Sequence, residues 1–482
     1  MKRLALVQPN SRWGGTQSWD VFPYNLCLLA AVLREKYDVE ILDANVDDLS
    51  IDAAVERIKS GRYDYIGITC LAVEYSKSIR ELSREIKKQL PHSLIILGGV
   101  YCTLLPEMAM EDECIDYCVL GEGEKVLEEL LRCIDAHTPP ERLDGVAFRT
   151  NGAATIRPQQ EYISDLDALP LPAYDLVQFE KYAYVDDKFS FSNTRDAVPV
   201  AKIYASRGCP AGCNFCAVES IMGKRFRYRS CESVIKEIEL LIDRYGVKEI
   251  VFYDDNLIYE KNRAKQLFRK IIERHFDLKF KAANIAVYRL DEEMIDLMKE
   301  AGFTNMVFAV ESACDRVLQE IMGKPLTTKD IKSKIDYSKK LGFRCAALFV
   351  VGNPGETWDE IRRTFAFAEE LDVYCHFSIA TPLPKTRLYE TAVAENYLTS
   401  DFDFSAYSGC SKGYILTGEF APFDLEVLRA YEWDRINFST PEKRRRSACF
   451  FKVSEEEVVD FARGARKYIQ DVYVNDASKK LK

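Results

Sequence analysis

The chain has 482 residues, of which 47% are hydrophobic and 29% charged, a mixture typical of folded proteins and not of disordered ones. Its 66 basic and 76 acidic residues give a net charge of −10, which argues against a nucleic-acid-binding protein, since such proteins carry basic surfaces. No apolar run reaches the roughly 18 residues of a membrane span, and the short apolar start is not a signal peptide. We expect a cytoplasmic protein with no membrane partner and about three domains.

The first part of the chain, residues 1–135, alternates short apolar strands with amphipathic helices. The strands lack the polar alternation of half-exposed sheets, as expected for a parallel sheet that is covered on both faces. Five strands joined by crossover helices predict a doubly wound, Rossmann-like α/β domain. The predicted strands are 4–7, 39–42, 65–69, 94–97 and 117–120.

Residues 136–195 break this alternation. Prolines at 139–140 interrupt the pattern, and 169–172 reads Leu-Pro-Leu-Pro, which favours extended backbone. Between them, Asn151 and Gly152 separate two short apolar runs, a pattern that predicts a small hairpin. We therefore assign this segment to a linker that carries a hairpin.

Alternation returns in residues 196–390. Six strand–helix units predict a partial (β/α)6 barrel, whose chemistry should lie at the carboxyl ends of the strands. Residues 391–482 lose the alternation and predict a mostly helical C-terminal extension. The predicted barrel strands are 200–205, 249–253, 280–283, 306–310, 346–351 and 377–380.

Three of the 15 cysteines, Cys209, Cys213 and Cys216, follow the first barrel strand with the spacing Cys-x3-Cys-x2-Cys. Glycines and a proline between them allow a loop that bends the three thiolates towards one centre. Three thiolates suit three corners of a four-iron four-sulfur cube and leave one iron open. A structural zinc ion usually takes four protein ligands, and no fourth Cys or His is nearby in the sequence. Zinc and a purely structural role remain the alternatives.

This triplet, with the barrel that follows it, resembles the radical S-adenosylmethionine superfamily. The resemblance implies a [4Fe–4S] cluster whose open iron binds S-adenosylmethionine. One electron, from an external donor of the flavodoxin or ferredoxin type, would then give a 5′-deoxyadenosyl radical.

The same resemblance implies a set of residues that bind S-adenosylmethionine. Phe215 matches an aromatic residue whose backbone meets the adenine, and Asp254 and Asp255 stand where the family often has Gly-Gly-Glu. Each also has a structural interpretation, as a loop anchor, a helix cap, a turn or a surface group. The complete set is Phe215, Arg229, Asp254, Asp255, Glu311, Ser312 and Gly352.

The N-terminal domain has no Gly-x-Gly-x-x-Gly after its first strand, so a dinucleotide site is not indicated. Small residues instead follow the later strands, at the edge where open sheets bind ligands, and would leave a groove for a long nucleotide-like tail. This arrangement resembles the cobalamin-binding domain of cobalamin-dependent radical S-adenosylmethionine enzymes, although Tyr101 stands where that branch often has His. The implied cobalamin-binding residues are Trp13, Thr69, Gly98, Gly99, Val100, Thr103, Gly121, Glu122 and Gly123.

The loop after the first strand contains no His between Gln8 and Gly15. We therefore expect cobalamin to bind with its own base displaced and without a His ligand, with Trp13 or Arg12 covering that face. A degenerate domain that binds no cobalamin is the alternative.

The resemblance implies a methyltransferase that methylates an unactivated carbon of a small molecule through the 5′-deoxyadenosyl radical and methylcobalamin. A cobalamin-dependent radical enzyme that forms rings or rearranges its substrate without methyl transfer is a second hypothesis, and a non-catalytic metal- or cobalamin-binding module is a third.

Two features of the C-terminal extension stay open. The basic run at 443–446 predicts either a solvated helix end or a contact to a substrate phosphate or carboxylate. The aromatic stretches at 401–407 and 431–438 either cover the barrel mouth or belong to the core.

Overall fold

The computed structural model describes residues 1–13, 22–184, 189, 195–404 and 411–480, and side chains as far as residue 467. No helix in these ranges is long and apolar enough to cross a membrane. The predicted loop after the first strand and the aromatic stretch at 401–407 extend partly outside the described residues.

The N-terminal domain is a seven-stranded sheet with helices on its faces, in the order β2-β1-β3-β4-β5-β6-β7. Its strands are β1 (Arg3–Gln8), β2 (Asp38–Asp43), β3 (Tyr65–Cys70), β4 (Leu94–Gly99), β5 (Tyr117–Val119), β6 (Val146–Thr150) and β7 (Ala153–Arg157). Its helices are α1 (Tyr24–Leu33), α2 (Ile51–Gly61), α3 (Ser76–Gln89), α4 (Val100–Leu104), α5 (Pro106–Met110) and α6 (Gly123–Asp135).

The doubly wound fold is confirmed. Strands β1 to β5 are parallel, and their central residues are buried on both faces because helices cover both sides of the sheet. The strand order reverses at β1, which pairs with β2 on one side and β3 on the other. Ligands of such sheets bind at the carboxyl ends of the strands beside this reversal.

The hairpin β6–β7 forms as predicted, but it is not a separate feature of the linker. It pairs antiparallel with β5, with Tyr117 opposite Phe148, and so extends the sheet from five strands to seven. Without it, β5 would present an unpaired edge, which proteins generally cover.

The second domain is the predicted partial barrel. It consists of two parallel three-stranded sheets, β12-β11-β8 and β13-β14-β15, joined by single bridges such as Phe280 with Phe303. Its strands are β8 (Val200–Ile203), β9 (Ser206–Arg207), β10 (Arg227–Tyr228), β11 (Glu249–Phe252), β12 (Lys279–Ala282), β13 (Asn305–Glu311), β14 (Arg344–Val351) and β15 (Tyr374–Ile379). The helices from the linker through the barrel are α7 (Phe179–Ala183), α8 (Val218–Met222), α9 (Cys231–Tyr245), α10 (Lys261–Glu273), α11 (Glu292–Glu300), α12 (Thr328–Lys340), α13 (Trp358–Glu370) and α14 (Arg387–Ala394).

The amino end of the barrel is closed by a buried ion-pair cluster. The Lys281 ammonium lies 3.1 Å from Asp196 and 3.0 Å from Glu249. Because these three side chains pair with one another, they are not available to bind a ligand at the amino end. We therefore expect the functional site at the carboxyl end of the barrel.

Three helices, α15 (Pro422–Phe438), α16 (Pro441–Phe451) and α17 (Glu455–Lys480), form the C-terminal extension. The Asn437 side chain accepts a hydrogen bond from the Cys375 backbone N–H at 2.9 Å and donates one to the Cys375 carbonyl at 2.8 Å. Trp433 donates its indole N–H to the Tyr374 hydroxyl at 3.1 Å. The extension therefore packs directly on β15, the edge strand of the barrel.

The basic run at 443–446 lies within α16. Lys443 pairs with Glu369 at 2.6 Å, and Arg446 pairs with Asp372 at 2.9 Å. Both acids belong to the α13 region of the barrel, so the run joins the extension to the barrel.

Candidate functional site

A cavity of about 350 Å³ lies between the carboxyl ends of the N-terminal strands and the cysteine loop of the barrel. The linker around Pro170 and helix α1 complete its wall, and most of the wall is apolar. Seven of the nine residues predicted to bind cobalamin line it: Thr69, Gly98, Gly99, Val100, Gly121, Glu122 and Gly123. From the barrel side it is lined by Tyr204, Ser206, Arg207, Ile221, Met222, Arg229 and Asp255.

Two adjacent glycines after β4 shape the cavity in different ways. At Gly98, no heavy atom of the described residues lies within 4 Å of where a Cβ would stand, so a side chain would extend into open space. At Gly99, φ is +97° and a Cβ would lie 2.6 Å from the Cys70 carbonyl oxygen. Gly99 is therefore required by the backbone, whereas Gly98 keeps the cavity wide.

The two predicted threonines have different partners. Thr69 accepts a hydrogen bond from the Asn25 amide at 3.1 Å. The Thr103 hydroxyl donates to the Gly99 carbonyl at 2.8 Å and accepts from the Gly121 N–H at 2.9 Å. Thr103 lies behind the lining and ties the two loops together.

Trp13 and Arg12, which we expected to cover one face of cobalamin, lie outside this cavity. The Trp13 indole is buried in the N-terminal core and donates its N–H to the Leu49 carbonyl at 2.8 Å. Arg12 pairs with Asp48 at 3.4 Å. The turn after β1 folds these two side chains against the loop before α2, so a contact between them and cobalamin stays a prediction.

The three cysteines lie on one loop between β9 and β10. Gly208 and Gly212 adopt φ of +78° and +66°, which lets the chain turn tightly around them. Burial, with a smaller contribution from the neighbouring thiols, raises the pKa of the Cys213 thiol to about 11 and that of Cys216 to about 12. Each of these two thiols is influenced by other cysteines of the loop, so the three lie close together.

Polar groups surround the cysteine loop. The Asn256 amide lies 3.5 Å from the Cys209 sulfur and also donates to the Tyr288 hydroxyl at 3.3 Å. Glu311, at a φ of +71°, forms a buried ion pair of 2.6 Å with Lys324. Both charges of this pair are felt by Cys213, Lys324 lowering its pKa and Glu311 raising it.

The donor set fits a [4Fe–4S] cube better than a single ion. A cube takes one thiolate at each of three separate irons, whereas a zinc ion draws its ligands to one point. Three neighbouring thiols, with an amide donor beside one sulfur, therefore match the cluster.

The paired acids after β11 have different surroundings. Asp254 is buried and accepts hydrogen bonds from the Ala205 N–H at 3.1 Å and the Ser206 hydroxyl at 2.5 Å. Burial raises its pKa to about 6. Asp255 accepts from the Gly208 N–H at 3.0 Å and lines the cavity, and burial raises its pKa as well. Asp254 thus stabilises the backbone after β8, whereas Asp255 is accessible to a ligand in the cavity.

The other predicted contacts to S-adenosylmethionine are less open to a ligand. Ser312 is fully buried and its hydroxyl lies 3.3 Å from that of Thr364 on α13. A Cβ on Gly352 would collide with the Leu425 side chain of α15, so that helix occupies the side expected for a cofactor. Arg229 lines the cavity but forms a buried ion pair with Glu237. Phe215 is half-buried and packs against the main core.

Sequence reasoning missed a cluster of charges beside the cavity. Arg207 lies 3.0 Å from Glu122 and 2.5 Å from Glu124, and Arg227 lies 2.6 Å from Glu122. The sequence signals are the position of Arg207, directly before Gly208 and Cys209, and Glu122, which is predicted as a cobalamin-binding residue but not as a partner of these arginines. The acidic partners of Arg207 belong to another domain, so spacing alone could not identify them.

Comparison with known proteins agrees with this geometry. Residues 203–368 match the Radical SAM superfamily, and residues 15–131 match the B12 binding domain. An uncharacterized methyltransferase of Pyrococcus horikoshii is 34% identical over 380 residues, which cover 78% of this chain and 79% of that protein. The anaerobic magnesium-protoporphyrin IX monomethyl ester cyclase of Rubrivivax gelatinosus is 27% identical over 84% of this chain and 72% of its own length.

Among solved structures, the radical S-adenosylmethionine methyltransferase TsrM of Kitasatospora setae, with cobalamin and a [4Fe–4S] cluster bound, has the same fold. It aligns with a TM-score of 0.73 and 21% identity over 96% of this chain and all of that one.

The chain belongs to the cobalamin-dependent methyltransferase family of radical S-adenosylmethionine enzymes. It is an enzyme, and its cofactors are a [4Fe–4S] cluster, S-adenosylmethionine and cobalamin. The predicted family, fold class and cofactors are confirmed, and the hypothesis of a non-catalytic module is wrong.

Proposed function

We propose that the enzyme methylates an unactivated carbon of a small molecule. Cobalamin would occupy the cavity between the domains, and Cys209, Cys213 and Cys216 would hold the cluster. The observation that carries the proposal is the shared wall, because Asp255 both lines the cavity and binds the Gly208 N–H next to Cys209. A methyl carrier and a radical source would therefore sit on adjacent faces of one space.

When bound, S-adenosylmethionine and the cluster supply an adenosyl radical that removes hydrogen from the substrate, and cobalamin supplies the methyl group that replaces it. The protein itself positions the cofactors and protects the radical from water. Asn256 donates towards the Cys209 sulfur, and Asp255 fixes the first turn of the loop. Leu28, Leu29 and Val119 give the cavity an apolar wall that limits water, which protects a reactive radical.

For S-adenosylmethionine we favour the carboxyl ends of the barrel strands around the cysteine loop. Phe215 lies on the loop itself, Asp255 follows β11, and Glu311 ends β13. Asp255 would accept hydrogen bonds from the methionine ammonium group, since it is the acid of its pair that faces the cavity. Asp254, Ser312 and Gly352 would act indirectly by fixing the strand ends.

An external electron donor of the flavodoxin or ferredoxin type completes the proposal. Two exposed arginines flank the cysteine loop: the Arg225 carbonyl packs against Gly208, and the Arg387 guanidinium bonds the Gly212 carbonyl. Such a surface suits an acidic redox protein. The Arg225→Glu variant should be reduced more slowly by flavodoxin but at the normal rate by dithionite, whereas equal rates with both reductants would count against docking there.

The deciding experiment is anaerobic incubation of the reconstituted enzyme with cobalamin, reductant and methyl-labelled S-adenosylmethionine, followed by mass analysis of the cobalamin. Label on the cobalamin is the expected result. Bound but unlabelled cobalamin, both alone and with a library of candidate acceptors, would contradict methyl transfer.

Ring formation or rearrangement without methyl transfer is the second candidate, favoured by the similarity to a cyclase. The products of S-adenosylmethionine distinguish the two. Deoxyadenosine with S-adenosylhomocysteine would support methyl transfer, and deoxyadenosine alone would support the second candidate.

A further inference from the structure

One carboxylate bridges the two domains at the cavity. Glu122 follows β5 of the N-terminal domain, and one of its oxygens lies 2.6 Å from Arg227 and 3.0 Å from Arg207. Its other oxygen accepts the Ile163 N–H of the linker at 2.8 Å. Only 1% of this side chain is exposed, so the contacts are shielded from water and salt.

The charges of the cluster balance within the protein. Arg207 also pairs with Glu124 at 2.5 Å, so two arginines face two glutamates. The Arg227 side chain is 7% exposed, and its guanidinium lies 5.3 Å from the centre of the Tyr162 ring. Removal of one partner would leave a buried charge without compensation, which is far more costly than loss of a surface pair.

The two arginines lie on the two strands of a short antiparallel ribbon, here called the stem, which connects the cysteine loop to the barrel. Arg207 ends β9 and Arg227 begins β10, and the two residues pair directly across this short antiparallel ribbon. The loop from Gly208 onwards, with all three cysteines, leaves and returns through this stem. Glu122 therefore holds both ends of the cysteine loop at one point.

The same residue belongs to the wall of the cavity. Gly121, Glu122 and Gly123 all line it. The Gln159 side chain accepts the Glu122 N–H at 2.8 Å and donates to its carbonyl at 3.3 Å, which fixes this stretch of backbone. A ligand that fills the cavity therefore contacts the segment 121–123, and the Glu122 side chain of this segment binds both ends of the cysteine loop.

We infer that Glu122 is a positioning residue that couples loading of the cluster to binding of cobalamin. The inference rests on the cofactor placement proposed above. An assembled cluster orders the cysteine loop and its stem, and the stem then fixes the position of Glu122. Cobalamin can bind to the cavity wall around Glu122 with less rearrangement of that wall. By linkage, cobalamin must stabilise the loaded loop to the same degree.

The test measures binding, independently of turnover. The full-length protein is titrated with hydroxocobalamin under anaerobic conditions, with and without its reconstituted cluster, and the dissociation constants come from visible absorbance. We expect the cluster-loaded wild type to bind about tenfold more tightly than the cluster-free protein, within the usual range of such couplings. In the Glu122→Gln variant both forms should bind with nearly the same affinity.

A second measurement tests the effect of cobalamin on the stability of the cluster. Cobalamin should slow the loss of iron from the wild type to a chelator and should have no such effect in Glu122→Gln. The matched control is Asp175→Asn, which breaks an ion pair between the linker and Arg34, made at 2.8 Å, away from the cysteine loop. It should keep the tenfold difference.

The outcomes separate the coupling from the proposed function. A wild type that binds both cofactors, but cobalamin equally well with and without the cluster, overturns the coupling alone. A Glu122→Gln variant that keeps the tenfold difference overturns the role of Glu122. A wild type that binds no cobalamin contradicts the cofactor placement itself. Glu124→Gln, which removes only one partner of Arg207, gives a milder variant with an intermediate expected coupling if Glu122→Gln does not fold.

Discussion

The two walls of the cavity are built by opposite means. The N-terminal wall combines apolar side chains such as Leu28, Leu29 and Val119 with glycines after the strands, and Gly98 leaves part of it open. The barrel wall carries Arg207 and Asp255, whose charges are fixed by buried partners. A surface that only receives a large cofactor needs room, whereas a surface that carries a reactive centre needs fixed positions. A substitution at Gly98 should therefore act through added bulk, and substitutions on the barrel side through lost charge or lost ligation.

The largest expected effect is on the barrel side, from Cys213→Ala in the cysteine loop. Loss of one of three thiolates should prevent assembly of a complete cluster. Iron content and the paramagnetic signal of the reduced protein should fall to near background, and cleavage of S-adenosylmethionine should be abolished. Cys231→Ala, at a buried cysteine on α9, is the control and should keep the cluster. A Cys213→Ala protein with a full cluster would remove the basis for the cysteine assignment.

The next effect tests the charge of Asp254. Burial raises its pKa in the folded protein to about 6, above the ordinary aspartate value of 3.8, so between these pH values the folded protein holds a proton that the unfolded chain has lost. This contribution is fully present below pH 4 and is lost as the pH rises through 6. It amounts to about 3 kcal/mol, at about 1.4 kcal/mol per pH unit.

Asp254→Asn should remove this dependence while keeping an acceptor for Ala205 and Ser206. The measurement is the free energy of unfolding by urea at pH 4 to 7 for both proteins. If the difference in unfolding free energy between the two proteins does not change with pH, the Asp254 carboxyl group does not cause the pH dependence.

The third pair of variants compares two neighbouring positions on the N-terminal wall. Gly99→Ala should destabilise the fold by about 1–3 kcal/mol, since its φ is positive and the Cys70 carbonyl blocks a Cβ. Gly98→Ala should leave stability nearly unchanged and weaken cobalamin binding, because its methyl group enters the cavity. Thermal unfolding and cobalamin titration measure the two effects, and a reversed pattern would contradict the assignment of the wall.

The smallest expected effect is from Trp13→Phe. It removes the hydrogen bond to the Leu49 carbonyl and should cost about 1 kcal/mol of stability. Cobalamin affinity should stay within experimental error of the wild type, because this side chain lies outside the cavity. A marked loss of affinity would support a contact between Trp13 and cobalamin.

Local pattern was sufficient for the features that lie within one stretch of chain. The barrel strands, the doubly wound sheet and the Cys209 loop are all encoded by neighbouring residues. Contacts between distant stretches were not predictable in this way. Glu122 meets Arg227 across 105 positions, and Gly352 meets Leu425 of α15, which only the folded chain brings together.

The hydrogen bonds between Asn437 and the backbone of Cys375 have a consequence for the independence of the barrel. A barrel of six strands does not close, so β15 would leave backbone groups exposed and able to pair with another chain. Asn437 imitates the missing neighbour with one acceptor and one donor. A protein truncated after α14 should therefore associate through this edge, and the last three helices protect the barrel against self-association.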